Sequence, residues 1–314
     1  MQVPAQVEYQ KAASAGHALN LLARYGTEAR ILAGGHSLIP MMKLRLAQPE
    51  VLIDISGISD LRYIERSSGT LRVGALATHA DLLRSQLAGE HFAILHDAER
   101  VIADPIVREW GTVGGSLCQA DPSEDLSAAF AALKGTMVIW GLSPSGAVAT
   151  REVSAREFHT GPYETVIRPA EMLTEIRLPL FTPGRATPLF GSGYLKVCRR
   201  TGDWPVGAAG AAIWLDGDVI VDVGIGLTAL GARHFVAAEA EQFLRGQPAT
   251  EETFRRAGEI AARHCRPVAD QRGPEDYKRH LAGELTTRVL RLAAGRARAV
   301  ATERRSRSRL RGDS

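Results

Sequence analysis

The 314-residue sequence predicts an α+β protein of two domains, and three observations carry that prediction. As far as Pro179, short apolar runs alternate with amphipathic helical stretches. Beyond it, three apolar runs in succession are followed by three helical stretches, the order of an antiparallel sheet with helices packed on one face. Between the two textures stands Thr182-Pro183-Gly184, a turn-forming triplet suited to a linker.

The elements follow in chain order. The first fifty residues read as strand, helix, strand. A helix over Ala13–Tyr25 places Ala15, Ala18, Leu19 and Leu22 on one face and ends at Gly26. The strand Ala29–Ala33 runs into Gly34-Gly35, and a helix or turn over Pro40–Leu46 leads to the strand Val51–Ile55. Leu61–Ile64 and Leu71–Val73 flank Ser67-Ser68-Gly69, a hairpin signature. Helices over His79–Leu87 and Ala93–Val101 precede a second glycine-rich turn, Gly111–Ser116. Asp125–Leu133 reads as a helix capped by Ser123. Strands Thr136–Trp140 and Ala147–Thr150 flank the turn Ser143–Gly146, and Glu171–Pro179 is a strand leaving the domain. After the linker come strands Gly193–Cys198, Val206–Leu215 and Val219–Leu227, the last two joined at Asp216-Gly217. Helices around Ala237–Leu244, Thr250–Cys265 and Tyr277–Leu292 complete the second domain.

Composition narrows the function class. With 45% hydrophobic and 23% charged residues, the chain reads as an ordinary globular protein. The start MQVPAQVEYQ has neither the basic opening nor the apolar core of a secretory signal, and no run nears the ~18 apolar residues of a membrane span. A cytoplasmic location is expected. The net charge of +3 conceals an asymmetry: from Arg288 onward nine arginines face only Glu303 and Asp313, a local +7 that leaves −4 for the rest. A mildly acidic body argues against nucleic acid as a partner. The tail from about Thr302, TERRSRSRLRGDS, lacks apolar periodicity and is expected to be disordered, with a partner subunit or an anionic membrane surface as its conceivable contacts. Cys118, Cys198 and Cys265 stand far apart without a CxxC pair, so neither an iron–sulfur cluster nor a structural zinc is expected, and the cysteines read as small core residues. No metal ligands and no catalytic base can be picked out.

Two glycine motifs carry chemistry. Ala33-Gly34-Gly35-His36-Ser37 follows a strand directly; paired glycines allow positive φ and close backbone approach, so successive N–H groups can converge on a phosphate oxygen. The bland alternative is a tight turn. Neither Gly-Lys-Ser/Thr nor GxGxxG is present, which excludes a Walker loop and the Rossmann fingerprint. Thr112-Val113-Gly114-Gly115-Ser116 again brackets a double glycine with hydroxyls, and Asp125 beyond it can accept from a sugar or ribityl hydroxyl or serve as a first-turn acid of its helix. Two such loops suit an extended dinucleotide clamped from both sides. Gly224-Ile225-Gly226 looks similar but sits in a strand and reads as structural.

The runs AGGHSLIPMMKLRLA (Ala33–Ala47) and TVGGSLCQADPSED (Thr112–Asp125) closely resemble the FAD-binding subunits of molybdenum hydroxylases, most of all those of the aerobic carbon monoxide dehydrogenase type. GPYETVIRPAEMLTEIRLP (Gly161–Pro179) and YLKVCRR (Tyr194–Arg200) extend the resemblance over about 285 residues. It implies a vanillyl-alcohol-oxidase-type (PCMH) FAD-binding domain over 1–178, with subdomains about 1–56 and 57–178, then a flavoprotein C-terminal domain over 185–293. Carried over, it places the FAD pyrophosphate on Ala33, Gly34, Gly35, His36 and Ser37 and on Thr112, Gly114, Gly115 and Ser116. Asp125 would hold the ribityl or diphosphate region, Ile102 and Ile167 would pack near the flavin or adenine, and Lys196 would reach the isoalloxazine, where a cation raises the reduction potential. Tyr194 is a weaker ring neighbour. Ser116 departs from the family's usual Asn, which puts one side-chain hydrogen bond in doubt. His36 after Gly-Gly is also the pattern of a covalent flavin anchor, whereas the resemblance implies non-covalent FAD.

The expected function is therefore electron transfer. FAD would take electrons from a small [2Fe–2S] partner subunit and pass them to quinone or NAD, while a large partner subunit oxidises substrate at the molybdenum cofactor. A dimer of such heterotrimers, and peripheral attachment to the inner membrane face, belong to the same expectation. The alternatives are the FAD subunit of a xanthine or N-heterocycle dehydrogenase, a stand-alone flavin oxidase, and a non-enzymatic scaffold of the same fold.

Overall fold

A computed structural model describes residues 3–180 and 188–312, with side chains described up to residue 300. The expected Thr182-Pro183-Gly184 linker lies outside the described residues. Two compact units divide the chain. One takes the residues up to Leu87, Ala103–Asp121 and Gly135–Leu178; the second takes Ala88–Ile102, Pro122–Lys134 and the chain from Pro179 onward. Besides the single boundary expected near 178, two earlier segments thus leave the first unit and return, because two helices of the first half bury their apolar faces on the sheet of the second unit.

In the first unit, β1 (Glu8–Lys11), β2 (Ala29–Leu32) and β3 (Val51–Asp54) form a parallel sheet in the order β1-β3-β2. The helix Ala15–Tyr25, capped by Ser14, connects β1 to β2 and buries Ala18, Leu19 and Leu22 against Ile53 and Ile55 in one cluster. β3 is buried along its whole length, as a central parallel strand should be. The second sheet has the order β4-β5-β10-β6-β7, built from β4 (Ile64–Ser67), β5 (Thr70–Gly74), β6 (Thr136–Leu142), β7 (Val148–Ser154) and β10 (Glu171–Pro179). A small pair, β8 (His159–Gly161) and β9 (Glu164–Thr165), precedes β10. Leu61, expected in a strand, closes a 3-10 turn over Ser59–Leu61, and the hairpin strand starts only at Ile64.

In the second unit, β11 (Leu189–Cys198), β12 (Pro205–Asp216) and β13 (Val219–Thr228) form an antiparallel sheet covered on both faces, not on one. Its two-residue period explains how. Gly191 and Gly193 of β11 and Val223, Ile225 and Leu227 of β13 face the C-terminal helices, among them Ala238–Leu244 and the long helix that starts at Glu275. The alternate residues Ser192, Tyr194 and Lys196 of β11 and Gly224 and Gly226 of β13 face the helices Ala93–Val101 and Asp125–Ala132. The long helix continues through the arginine-rich tail to Gly312, where irregular chain was expected. The tail contains no proline and no glycine between Gly295 and Gly312, and arginine is a good helix former, so an existing helix propagates into it.

Candidate functional site

The first glycine motif forms a turn between β2 and the short helix Leu38–Lys43. Gly35 has φ of +75°, a conformation that an L side chain rarely adopts. Gly34 is forced for another reason: a Cβ there would sit 2.1 Å from the Trp110 carbonyl oxygen and 2.9 Å from Gly111 Cα. Gly34 therefore lets this turn press directly on the chain that leads into the second motif. Among the described residues, the amides of Gly34, Gly35, His36 and Ser37 donate to no backbone carbonyl, whereas Ile39 and Met41 beyond them bond back to Gly35 and Ser37. Ser37 stands at the helix start without capping it through its hydroxyl. Four consecutive N–H groups without a backbone acceptor, in a turn with Gly35 at positive φ and His36 exposed beside them, have the donor arrangement that an anion requires.

The second motif differs from its expectation. It is not a glycine-rich turn but the first turns of a helix, Val113–Gln119, capped by the Thr112 hydroxyl on the Gly115 amide at 3.1 Å. The amides of Val113 and Gly114 donate to Ala77 and Ala75 at 2.8 and 2.9 Å, and that of Ser116 donates to Thr112. A Cβ on Gly114 would meet Ala75 Cβ at 2.6 Å, so this glycine serves close packing. Capping and stitching have used the N–H groups that sequence reasoning assigned to phosphate. What the segment presents is the exposed Gly115 and the half-buried Ser116, whose Oγ lies 2.9 Å from Nε2 of the buried His79. Cys118, expected as core filler, is exposed on this helix; Cys198 is half-buried and only Cys265 is buried. Gln119 Nε2 approaches Met41 Sδ at 3.2 Å and links this helix to the one after the first motif. Ile167 is half-buried two residues beyond β9, on a segment whose Tyr163 amide bonds the Ala120 carbonyl. The first unit therefore gathers Ala33–Ser37, Thr112–Ser116 and Ile167 around the helix Val113–Gln119.

The remaining site residues lie together in the second unit. Lys196 of β11 is buried and forms an ion pair with Asp125 Oδ2 at 2.8 Å; its Nζ also donates to the Val101 carbonyl at 3.1 Å, beside the half-buried Ile102. Tyr194, two residues earlier on the same face, donates through its hydroxyl to Asp125 Oδ1 at 2.7 Å. Burial, then the Asp125 charge, pushes the Tyr194 phenol well above its ordinary range, so it serves as a donor and not as an acid. The tyrosine is thus a core member that orients Asp125. Asp125 opens the helix Asp125–Ala132, but its cap is Glu124 and not Ser123: the Glu124 carboxylate accepts from the amides of Leu126 and Ser127 at 2.8 and 2.6 Å. Sequence reasoning placed Lys196 and Asp125 on a ligand separately and missed that each satisfies the other. A separation of 71 residues leaves no local signal for the pair. Lys196 has three N–H donors and two named partners, so one donor is available to a ligand.

Each unit by itself offers groups that suit FAD: the first a turn with unspent amides and a glycine and hydroxyl beside it, the second a lysine with a buried side chain and donor capacity. Among the described residues no three His, Cys, Asp or Glu side chains are arranged to hold a metal ion, and no helix is long and apolar enough to cross a membrane.

Known proteins share this architecture. Residues 5–181 match the family described as the FAD binding domain in molybdopterin dehydrogenase, and residues 192–293 match the CO dehydrogenase flavoprotein C-terminal domain. The carbon monoxide dehydrogenase medium chain of Hydrogenophaga pseudoflava is 36% identical over 294 residues, 94% of this chain and 99% of that one. Among solved structures, carbon monoxide dehydrogenase from Hydrogenophaga pseudoflava, in a form lacking the Mo-pyranopterin moiety of its cofactor, superposes with a TM-score of 0.87 at 37% identity. Quinoline 2-oxidoreductase from Pseudomonas putida 86 superposes at 0.83 with 32% identity; each match covers 94% of this chain and 99% of the other.

Proposed function

Since the chain belongs to the FAD-binding medium-subunit family of molybdenum hydroxylases, we propose that it is the electron-transferring FAD subunit of an enzyme of the aerobic carbon monoxide dehydrogenase type. The observation that carries the reading is the run of unspent amides over Gly34–Ser37, in a turn where the family resemblance asks for a contact to the FAD pyrophosphate. FAD, when bound, supplies a carrier that accepts electrons and hands them on.

The chain's own residues bind and orient it. The Gly34–Ser37 amides hold the pyrophosphate, with Ser37 and Ser116 as side-chain donors. Thr112, Gly114 and Gly115 shape the wall beside them, and Ile102 and Ile167 supply apolar contact. Lys196 presents its remaining N–H to the ring system, and Asp125 fixes the direction of that N–H while its other oxygen is held by Tyr194. No residue here acts on the oxidisable substrate. Electrons arrive from a small [2Fe–2S] partner subunit, and substrate is oxidised at the molybdenum cofactor of a large partner subunit, in a dimer of heterotrimers. The acceptor is quinone or NAD. The location is cytoplasmic, with peripheral attachment to the inner membrane face as its variant.

The purified chain should be yellow, should lose its flavin to the supernatant on acid precipitation, and should not oxidise carbon monoxide by itself. Flavin remaining in the pellet would assign His36 as a covalent anchor, and substrate turnover by the lone chain would end the division of labour. The similarity to quinoline 2-oxidoreductase supports an N-heterocycle dehydrogenase as the second reading. Metal analysis of the co-purified complex separates the two: copper with molybdenum for carbon monoxide, molybdenum alone for a heterocycle.

A further inference from the structure

The carboxyl that caps the helix Asp125–Ala132 lies at the root of the Lys196–Asp125 pair. Glu124 is buried, and both its oxygens are engaged at the start of the helix Asp125–Ala132, by the amides of Leu126 and Ser127 and by the Ser127 hydroxyl. Its backbone carbonyl accepts from Thr228 Oγ1 of β13 at 3.2 Å. Thr228 Oγ1 in turn lies 3.3 Å from the Tyr194 hydroxyl, the group that donates to Asp125. One residue thus ties down, by side chain and by main chain, the turn that presents Asp125 to Lys196.

We infer that Glu124 is a proton-linked positioning residue, whose gain or loss of a proton sets how strongly the Asp125–Lys196 pair presents a cation to FAD. The inference deepens the FAD-subunit reading and rests on it. The charged or titratable groups on the elements packed around Glu124 include Asp125 on its own helix, Tyr194 and Lys196 on β11, Asp97 and the buried Glu99 on the helix Ala93–Val101, and Arg233 and His234 on the 3-10 turn Arg233–Phe235. β13 contributes the uncharged Thr228, and the helix Ala93–Val101 contributes the Val101 carbonyl that receives Lys196. Burial, set against the three hydrogen bonds and reinforced by the Asp125 charge, pushes the Glu124 carboxyl up to about 7. Protonated, it leaves Asp125 and Lys196 as a balanced pair. The Ser127 hydroxyl can then turn from donor to acceptor, so the neutral form keeps its partners. Ionised, it adds a second negative charge beside Asp125, and its field offsets the attraction of Lys196 for an anionic ligand.

The test titrates FAD into the full apoprotein by fluorescence quenching at pH 6 and pH 8, for the native chain, Glu124→Gln and Glu124→Asp. Groups common to all three cancel in the ratios. The native chain should weaken from pH 6 to pH 8 by about threefold or more beyond Glu124→Gln, as a nearby unit charge in a partly screened interior requires. Glu124→Asp keeps both a titrating carboxyl and a capping side chain, and should retain that excess. The flavin absorption band should shift with pH in the native chain and stay fixed in Glu124→Gln. Equal pH dependence in the native chain and Glu124→Gln, with FAD bound by both, would overturn the role of Glu124 alone. Absence of FAD binding by the native chain would instead overturn the reading on which it rests. Should Glu124→Gln not fold, Glu124→Ala takes its place as the variant without a titrating carboxyl, and a pH dependence equal to the native one there would be decisive against the inference.

Discussion

At Gly34 the fold and the ligand make the same demand. The Cβ position lies 2.1 Å from a main-chain oxygen, that of Trp110, so no rotamer change can relieve a substitution. Gly34→Ala must move either the anion-binding turn or the chain entering the helix Val113–Gln119, at a cost of ~1–3 kcal/mol. If the turn moves, the four amides lose their convergence; FAD affinity should fall by about tenfold or more, with the far-ultraviolet circular dichroism unchanged. Lys196 calls for a different experiment. Lys196→Met removes the cation paired with the buried Asp125 and leaves that charge without its ion-pair partner, beside the donating Tyr194 hydroxyl, so stability should drop by about 3 kcal/mol in urea unfolding. Adding Asp125→Asn should recover much of that loss without restoring the flavin spectrum, and that separates the structural share of the pair from its share in binding. The Gly34-Gly35 turn was legible as a turn because paired glycines after a strand permit the positive φ that Gly35 adopts; its use for a phosphate was legible only through the family resemblance. The sequence could not show that the Gly114 and Ser116 amides are spent on Ala75 and Thr112, since those acceptors are fixed only by tertiary packing.

Between elements, the decisive contact is a helix lying on a strand without side chains to hold it off. Gly224 and Gly226 of β13 would place a Cβ 1.9 and 2.0 Å from the carbonyls of Ala132 and Ala128. The helix Asp125–Ala132, buried at every position, is thus drawn down on the sheet, and its first residue meets Lys196. Reading Gly224-Ile225-Gly226 as structural from the sequence agrees with this arrangement, although its partner helix, about ninety residues earlier, had no local signature. The alternation of β11 was equally readable as a strand and equally silent about what each face meets. Gly226→Ala should lower stability by ~3 kcal/mol or more, because the obstacle is backbone. It should also weaken FAD binding by displacing Asp125, even though residue 226 touches no ligand. Unchanged FAD affinity in a destabilised Gly226→Ala chain would show that the helix position and the Lys196–Asp125 geometry are independent.

On the scale of the whole chain, two kinds of carboxyl pull the pH dependence of stability in opposite directions. Glu175 represents the first: burial pushes it up, but hydrogen bonds from Tyr63, Arg72 and Arg177 outweigh that and hold it below the ordinary carboxylate range. Asp54, Asp81, Glu171, Asp222 and Asp270 are lowered in the same sense. A lowered folded-state value means stability that is present above the unfolded value and lost as pH falls through the folded one, so these groups produce an acid limb below about pH 4. Glu124 is the opposite case, raised from 4.5 to about 7 mainly by burial. Between those values the folded chain holds a proton that the unfolded chain has released. Its stabilising contribution is therefore complete below about pH 4.5, declines as pH rises, and is gone above about 7, a change on the order of 3 kcal/mol. Thermal melts of the native chain should accordingly peak near pH 5 and fall by several degrees towards pH 8. Glu124→Gln cannot ionise, so its melting temperature should match the native value at pH 5 and exceed it at pH 8. A Glu124→Gln curve that parallels the native one from pH 5 to pH 8 would mean that the carboxyl is already ionised at pH 5, held so by the amides of Leu126 and Ser127.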